Sequence, residues 1–147
     1  MIIDLRDIKR QGKDSLDFFF ELALDNQLID IPNVTFDGPI RINGTATLTG
    51  EHSAVIEGDI EFSLVGECTS CLSSAKRSFC AEFYEDFGMN SDNGNCVKGD
   101  KIDLTEVITS AVLTEMPYGF LCKDDCLGLC PICGTNLNEN KCDCKNK

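Results

Sequence analysis

Between Ile40 and Phe87 apolar and polar side chains alternate with a period of two, over a length that only paired β-strands can use. Ile40, Ile42, Ala46 and Leu48 share one face of the first run, and Arg41, Asn43, Thr45, Thr47 and Thr49 share the other. A turn at "GEHS" leads into a second run, where Ile56, Ile60, Phe62 and Leu64 alternate with Glu57, Asp59, Glu61 and Ser63. The two runs are expected to pair as an antiparallel hairpin. After "CTSC" a third run sets Phe79, Ala81, Phe83 and Phe87 against Glu82, Tyr84 and Asp86. "LDFFFELAL" (Leu16 to Leu24) and the opening "MIIDL" read as further strands, which makes about five in all.

Past the third run the period changes. "MNSDNGNCVKGDK" (Met89 to Lys101) is polar and without period, so it reads as a flexible surface loop. In "DLTEVITSAVLTEMP", Leu104, Val107, Ile108, Ala111 and Val112 follow helical spacing. Asp103 with Glu106 has the form of a capping box, and Pro117 stops the helix. The expected fold is α+β with strand predominating: an antiparallel sheet or partial barrel, one covering helix, and a cysteine-rich, zinc-ribbon-like tail. Residues 1–121 would form the sheet-and-helix domain and residues 122–147 a metal-binding tail packed on it.

A chain of 147 residues has the length of one domain and can bury a core without crosslinks. The N-terminal stretch lacks the apolar segment of a leader, and no apolar run approaches the roughly 20 residues of a membrane span, so the expected location is the cytoplasm. There thiols stay reduced, and ten clustered cysteines point to metal rather than to disulfides. The tail from Cys122 holds four basic and four acidic residues, so the whole formal charge of −12 lies on residues 1–121. Such a body repels phosphate at long range, and any RNA contact must be local or run through a protein partner.

"CPICG" (Cys130 to Gly134) has the form of a zinc knuckle, a tight turn that aims two thiolates at one ion. The proline presets one backbone angle, and the glycine accepts the positive φ that lets N–H groups face sulfur. "CDC" supplies the nearest further pair, Cys142 and Cys144, because residues two apart in an extended segment point the same way. The remaining tail pair, Cys122 and Cys126, could combine with Cys68 and Cys71 of "CTSC" in a second four-thiolate site that clips the tail to the sheet. The alternatives for those four are free thiols or, for "CTSC", a redox pair, although a redox motif expects a strand-to-helix setting. Two zinc ions, and at least one, are expected. Cys80 reads as a buried strand thiol, Cys96 as a loop residue, and His52 as a turn residue without a metal role.

With "CTSCL", "DLTEVITSAVLTEMP" and "LCKDDCLGLCPICGTNLNENKCDC", the chain resembles the YceD family of large ribosomal RNA accumulation proteins. The resemblance implies a cytoplasmic bacterial protein, or an organellar relative, needed for large-subunit ribosomal RNA to be made, processed or retained. It also implies that the paired cysteines are metal ligands. One departure stands out: the family's usual motif has a basic residue before the second cysteine, and here that position is Ser70.

Four thiolates leave zinc no open position, so a metal held this way is structural, and no Ser–His–Asp set or phosphate-cradling loop accompanies it. The expected function is a non-catalytic binding module whose partner is ribosomal RNA or a ribosome-assembly protein. Candidate contacts are Lys76 and Arg77 and the tail lysines Lys123, Lys141, Lys145 and Lys147, with Arg6, Lys9, Arg10 and Lys13 as a further basic cluster. The alternative class is an RNA-processing hydrolase or a thiol redox protein, which would need an open metal position or a low-pKa cysteine outside the two sets.

Overall fold

The computed structural model describes residues 1–89 and 94–144. In chain order the elements are β1 (Ile2–Asp4), α1 (Leu5–Arg10), β2 (Ser15–Leu22), β3 (Val34–Phe36), β4 (Ile40–Gly50), β5 (Ser53–Glu67), β6 (Ser74–Phe87), β7 (Lys101–Asp103) and α2 (Thr105–Glu115). The fold is the strand-rich α+β architecture expected from the alternation. Its main sheet is antiparallel and open. β4 pairs with β2 on one side and with β5 on the other, β3 continues alongside β5 beyond the end of β4, and β6 covers the opposite side of β5 along its length.

The register carries the sequence pattern into two unlike faces. Ile42 lies opposite Ile60 and Ala46 opposite Ile56, while Ile60 faces Ala81 and Phe62 faces Phe79 across the β5–β6 pair. These side chains form the core, with Phe79 packed against it, and Leu104 at the helix N-cap, Ile108 and Val112 of α2 and Phe120 belong to the same cluster. The other face carries Asp17 and Glu21 of β2, Glu57, Asp59 and Glu61 of β5, and Glu82 and Asp86 of β6.

Several sequence expectations change in detail. The helix begins at Thr105 with Leu104 as its N-cap, and there is no reciprocal capping box with Glu106. Instead Asp103 Oδ1 accepts from the Thr105 amide (2.9 Å) and hydroxyl (2.7 Å), an Asx-type turn just ahead of the helix. "MIIDL" does form a strand, but outside the main sheet: β1 pairs with β7, which lies at the end of the segment expected to be a loop. Residues 90–93 of that segment are outside the described residues. In its second half Val97 is buried and Cys96 bridges to Gly88, so this part is tied to the body rather than free. Cys80 is exposed, not buried, because alternation that turns Phe79 and Ala81 inward turns the residue between them out. Among the described residues no helix is long and apolar enough to cross a membrane.

Candidate metal centres

Eight of the ten cysteines converge in two groups of four. Cys68, Cys71, Cys122 and Cys126 form one and Cys130, Cys133, Cys142 and Cys144 the other, with the sulfurs of each group all within 4.8 Å of one another. In the first group Cys68 Sγ lies 3.7 Å from Cys126 Sγ, and Cys71 Sγ lies 3.6 Å from Cys122 Sγ. Those separations are far beyond a disulfide bond of about 2.05 Å. They match the edge of about 3.8 Å that four sulfurs at about 2.3 Å from one tetrahedral zinc ion would have. The first donor set therefore fits a tetrahedral thiophilic ion, and the four sulfurs of the second, all within 4.8 Å of one another, could hold one as well.

The two groups are built on the same local turn. In "CTSCLS" the Leu72 amide donates to the Cys68 carbonyl (2.9 Å) and the Cys68 amide to the Ser73 carbonyl (2.9 Å). In "CPICGT" the Gly134 amide donates to the Cys130 carbonyl (2.9 Å) and the Cys130 amide to the Thr135 carbonyl (2.8 Å). Each turn places one residue in the left-handed region, Leu72 at φ 60° and Gly134 at φ 73°. Glycine adopts that angle without strain and leucine does not, so the first turn is held by its surroundings. The position after it is a hydroxyl residue in both. The Thr135 hydroxyl lies 3.1 Å from Cys133 Sγ, and Ser73 occupies the equivalent place beside Cys71.

These contacts set the thiol chemistry. Hydrogen bonds from the Thr135 hydroxyl and amide, with the neighbouring thiols, lower Cys133 to about 6. Burial opposes ionisation of Cys68, but backbone amides, that of Cys122 foremost, bring it to about 6. The side chain and amide of Ser73 lower Cys71. Conversely, burial and then the neighbouring thiols Cys71, Cys126 and Cys68 push Cys122 up to about 12. The neighbouring Cys133 and then burial do the same to Cys144, also to about 12. Each cluster thus favours thiolate at its knuckle and cannot ionise fully without a compensating positive charge.

The tail is joined to the sheet around the first group. The Thr69 amide donates to the Phe120 carbonyl (2.7 Å) and the Leu129 amide to the Ser70 carbonyl (3.1 Å). Arg77 donates to the Leu121 carbonyl (3.3 Å) and to Asp124 Oδ1 (2.8 Å). Two asparagines of "GTNLNEN" then tie the groups to each other. Asn138 Nδ2 donates to Cys126 Sγ (3.4 Å) and its Oδ1 accepts from the Leu127 amide (2.9 Å), while Asn136 donates to the Ser73 hydroxyl (3.2 Å). A loop between ligands of one cluster therefore hydrogen-bonds a ligand of the other. Reading the chain residue by residue passes over Ser73, Thr135, Asn136 and Asn138. The first two were detectable from the recurrence of Cys-x-x-Cys-x-Ser/Thr; the asparagines, which act across the fold, left no such signal.

Three of the candidate basic contacts, Lys76, Arg77 and Lys123, are engaged within the chain. Lys76 is paired with Asp37, Arg77 holds the tail as described, and Lys123 approaches Asp125 (3.8 Å). Lys141 is exposed, and Lys145 and Lys147 lie outside the described residues. Of the two cysteines outside the clusters, Cys80 sits on the acidic face, where partial desolvation and then Asp59, Glu61 and Glu82 push its thiol up. That is the reverse of what an activated nucleophile needs. His52 Nδ1 donates to Asp100 Oδ1 at 2.9 Å, away from both clusters.

The chain is 33% identical to an uncharacterized protein of Mycobacterium tuberculosis over 92 residues, which covers 56% of this chain and 44% of that protein. It is 27% identical to an uncharacterized protein of Mycobacterium leprae over 119 residues, 74% of this chain and 54% of that one. A 44-residue stretch is 41% identical to the chloroplastic "Large ribosomal RNA subunit accumulation protein YCED homolog 1" of Arabidopsis thaliana, covering 30% of this chain and 14% of that protein. The chain spans about half the length of the mycobacterial relatives. No solved structure matches it. The family model described as "Large ribosomal RNA subunit accumulation protein YceD" matches residues 56–147, a stretch that takes in both knuckles, both partner cysteine pairs and the helix between them, and the chain belongs to that family.

Proposed function

We propose that this chain is a non-catalytic zinc protein of the cytoplasm that supports the synthesis, processing or accumulation of large-subunit ribosomal RNA. In this reading each cysteine cluster holds one structural zinc ion. Cys68, Cys71, Cys122 and Cys126 fasten the tail of residues 122–147 to the body of residues 1–121, and Cys130, Cys133, Cys142 and Cys144 shape the tail itself. The observation that carries it is the pair of four-thiol groups, the sulfurs of each within 4.8 Å of one another, built on one repeated turn, in a chain of the YceD family. Four thiolates saturate zinc, so the ions organise surface rather than activate water. The partner is ribosomal RNA or a ribosome-assembly protein, met near the metal-held loops, where Lys76, Arg77, Lys123 and Lys141 are the basic residues.

Protein purified under reducing conditions without added metal should contain two zinc ions per chain by elemental analysis, and mass spectrometry should show no disulfides. Native-salt pulldown from cells, with sequencing of bound RNA and identification of bound proteins, should recover large-subunit precursor particles. Reduced protein free of metal, or recovery of neither large-subunit RNA nor its assembly proteins, would refute the reading.

A further inference from the structure

β6 is 14 residues long, and β5 is its sole strand partner among the described residues. Its second edge therefore presents a row of main-chain donors and acceptors, which is the template that an incoming strand uses. Beside the stretch from Glu82 to Glu85 runs a groove of about 560 Å³, with that part of β6 as one wall, α2 as the other, and Asn95 also lining it, its side-chain amide donating to Glu85 (2.7 Å). Neither wall carries a lysine or arginine. The strand contributes Glu82 and Glu85, and the helix contributes Glu106 and Glu115. Ser110 and Thr114, which follow Glu106 at four-residue spacing, keep the helix wall polar between them. Glu57 and Asp59 of β5 continue the negative charge around the outer side of Glu82 and Tyr84. Among the described residues none of Glu82, Glu106 and Glu115 is in an ion pair.

We propose that the free edge of β6, in the groove against α2, takes an extended basic polypeptide segment as an added antiparallel or parallel strand. Side chains of an added strand alternate between the α2 side and the outer side, and both sides are acidic here, so lysine or arginine is accommodated at successive positions. Eight residues of edge, Cys80 to Phe87, span about 27 Å, room for a segment of about six to eight residues. A second copy of this chain is disfavoured, since pairing two such edges would oppose carboxylates. RNA is disfavoured by the same charge. This surface goes beyond the ribosome-assembly reading by giving a protein partner its chemistry, and it lies apart from the zinc clusters.

The test uses the full, zinc-loaded chain and a capped 12-residue peptide of alternating lysine and threonine as probe. Fluorescence anisotropy should show binding that weakens with salt. Hydrogen exchange should show new protection in residues 80–87, which flank no metal ligand. Replacing alternate threonines of the probe by proline keeps its charge but removes main-chain donors, and should weaken binding at least tenfold. So should the variant E82Q/E106Q/E115Q, whose changed side chains are exposed and whose fold is verified by unchanged metal content and circular dichroism. The proposal is overturned if the proline peptide or the glutamine variant binds as tightly as its parent. It is equally overturned if protection falls elsewhere, if the chain dimerises through β6, or if ribosomal RNA fragments protect residues 80–87 in place of the peptide. None of these outcomes changes the zinc content or the recovered RNA on which the functional reading stands.

Discussion

Asn138 lies in the loop between Cys133 and Cys142, yet its amide donates to Cys126 of the other cluster at 3.4 Å. Hydrogen bonds to a ligating sulfur spread its charge and fix its direction, and losing one in a metal site's outer layer costs about 10–100-fold in metal affinity. Asn138→Ala should therefore move the first step of a two-step chelator titration to lower chelator concentration, with the ion of the Cys126 cluster leaving first. A curve identical to that of the parent would show that the contact does not act on the metal. A second residue-scale consequence concerns acid. The hydrogen bond with His52, helped by Lys9, holds the Asp100 carboxyl below its ordinary value. A carboxyl with a depressed folded pKa stabilises the fold above the unfolded value of about 4, and that contribution is lost as pH falls through the folded value. The parent should accordingly melt higher than Asp100→Asn at about pH 5–6, with the gap closing as acid is added below about pH 4. A gap that widened instead would mean the group is stabilised in its neutral form.

At the scale of elements, β4 and β5 meet glycine to glycine where Gly44 lies opposite Gly58. A Cβ on Gly58 would stand 2.1 Å from the Asn43 carbonyl oxygen and 2.6 Å from Gly44 Cα, both backbone atoms that cannot swing aside. Gly58→Ala should destabilise the sheet by about 1–3 kcal/mol, the usual range for forced overpacking, read as a lower denaturant midpoint with unchanged metal content. Phe18, whose ring lies over Gly44, is half-buried and packs against the core. The strands themselves were legible from alternation, since each face of a half-buried strand repeats every second residue. β3 and α1 were not, because three and six residues are too few to display a period.

Over the whole molecule, the two clusters differ in what they join. The first links residues on both sides of a sequence gap of about fifty residues, from Cys71 to Cys122, whereas the second is closed within the tail. The sheet buries its own apolar face, while the described tail past Phe120 contributes no side chain to the main core. Structural zinc supplies about 10–16 kcal/mol in small zinc peptides, so under the proposed two-zinc reading the tail is the part expected to depend on metal. Chelation should strip amide protection from residues 122–144 while β4, β5 and β6 stay protected, as followed by hydrogen exchange. Uniform loss across both would show that zinc holds the entire chain.

The sequence by itself determined whatever depends on neighbours along the chain: the inward and outward faces of β4, β5 and β6, the span of α2, and the two knuckle turns, whose hydrogen bonds close within six residues. Even there alternation outranked the usual preference of cysteine for burial, which is why Cys80 is exposed. Tertiary structure decided what depends on meeting across space. The spacing offered Cys68 and Cys71 two or three fates, and the route of the tail, fixed by Thr69 on Phe120 and by Arg77 on Leu121 and Asp124, brings Cys122 and Cys126 to them. It likewise set β1 beside β7, hung the asparagines of one loop on the other cluster, and left β6 with an open acidic edge. A two-thiol half-site is a property of a turn, but a four-thiol site requires two segments to be held in place by the rest of the fold, and no local pattern records that.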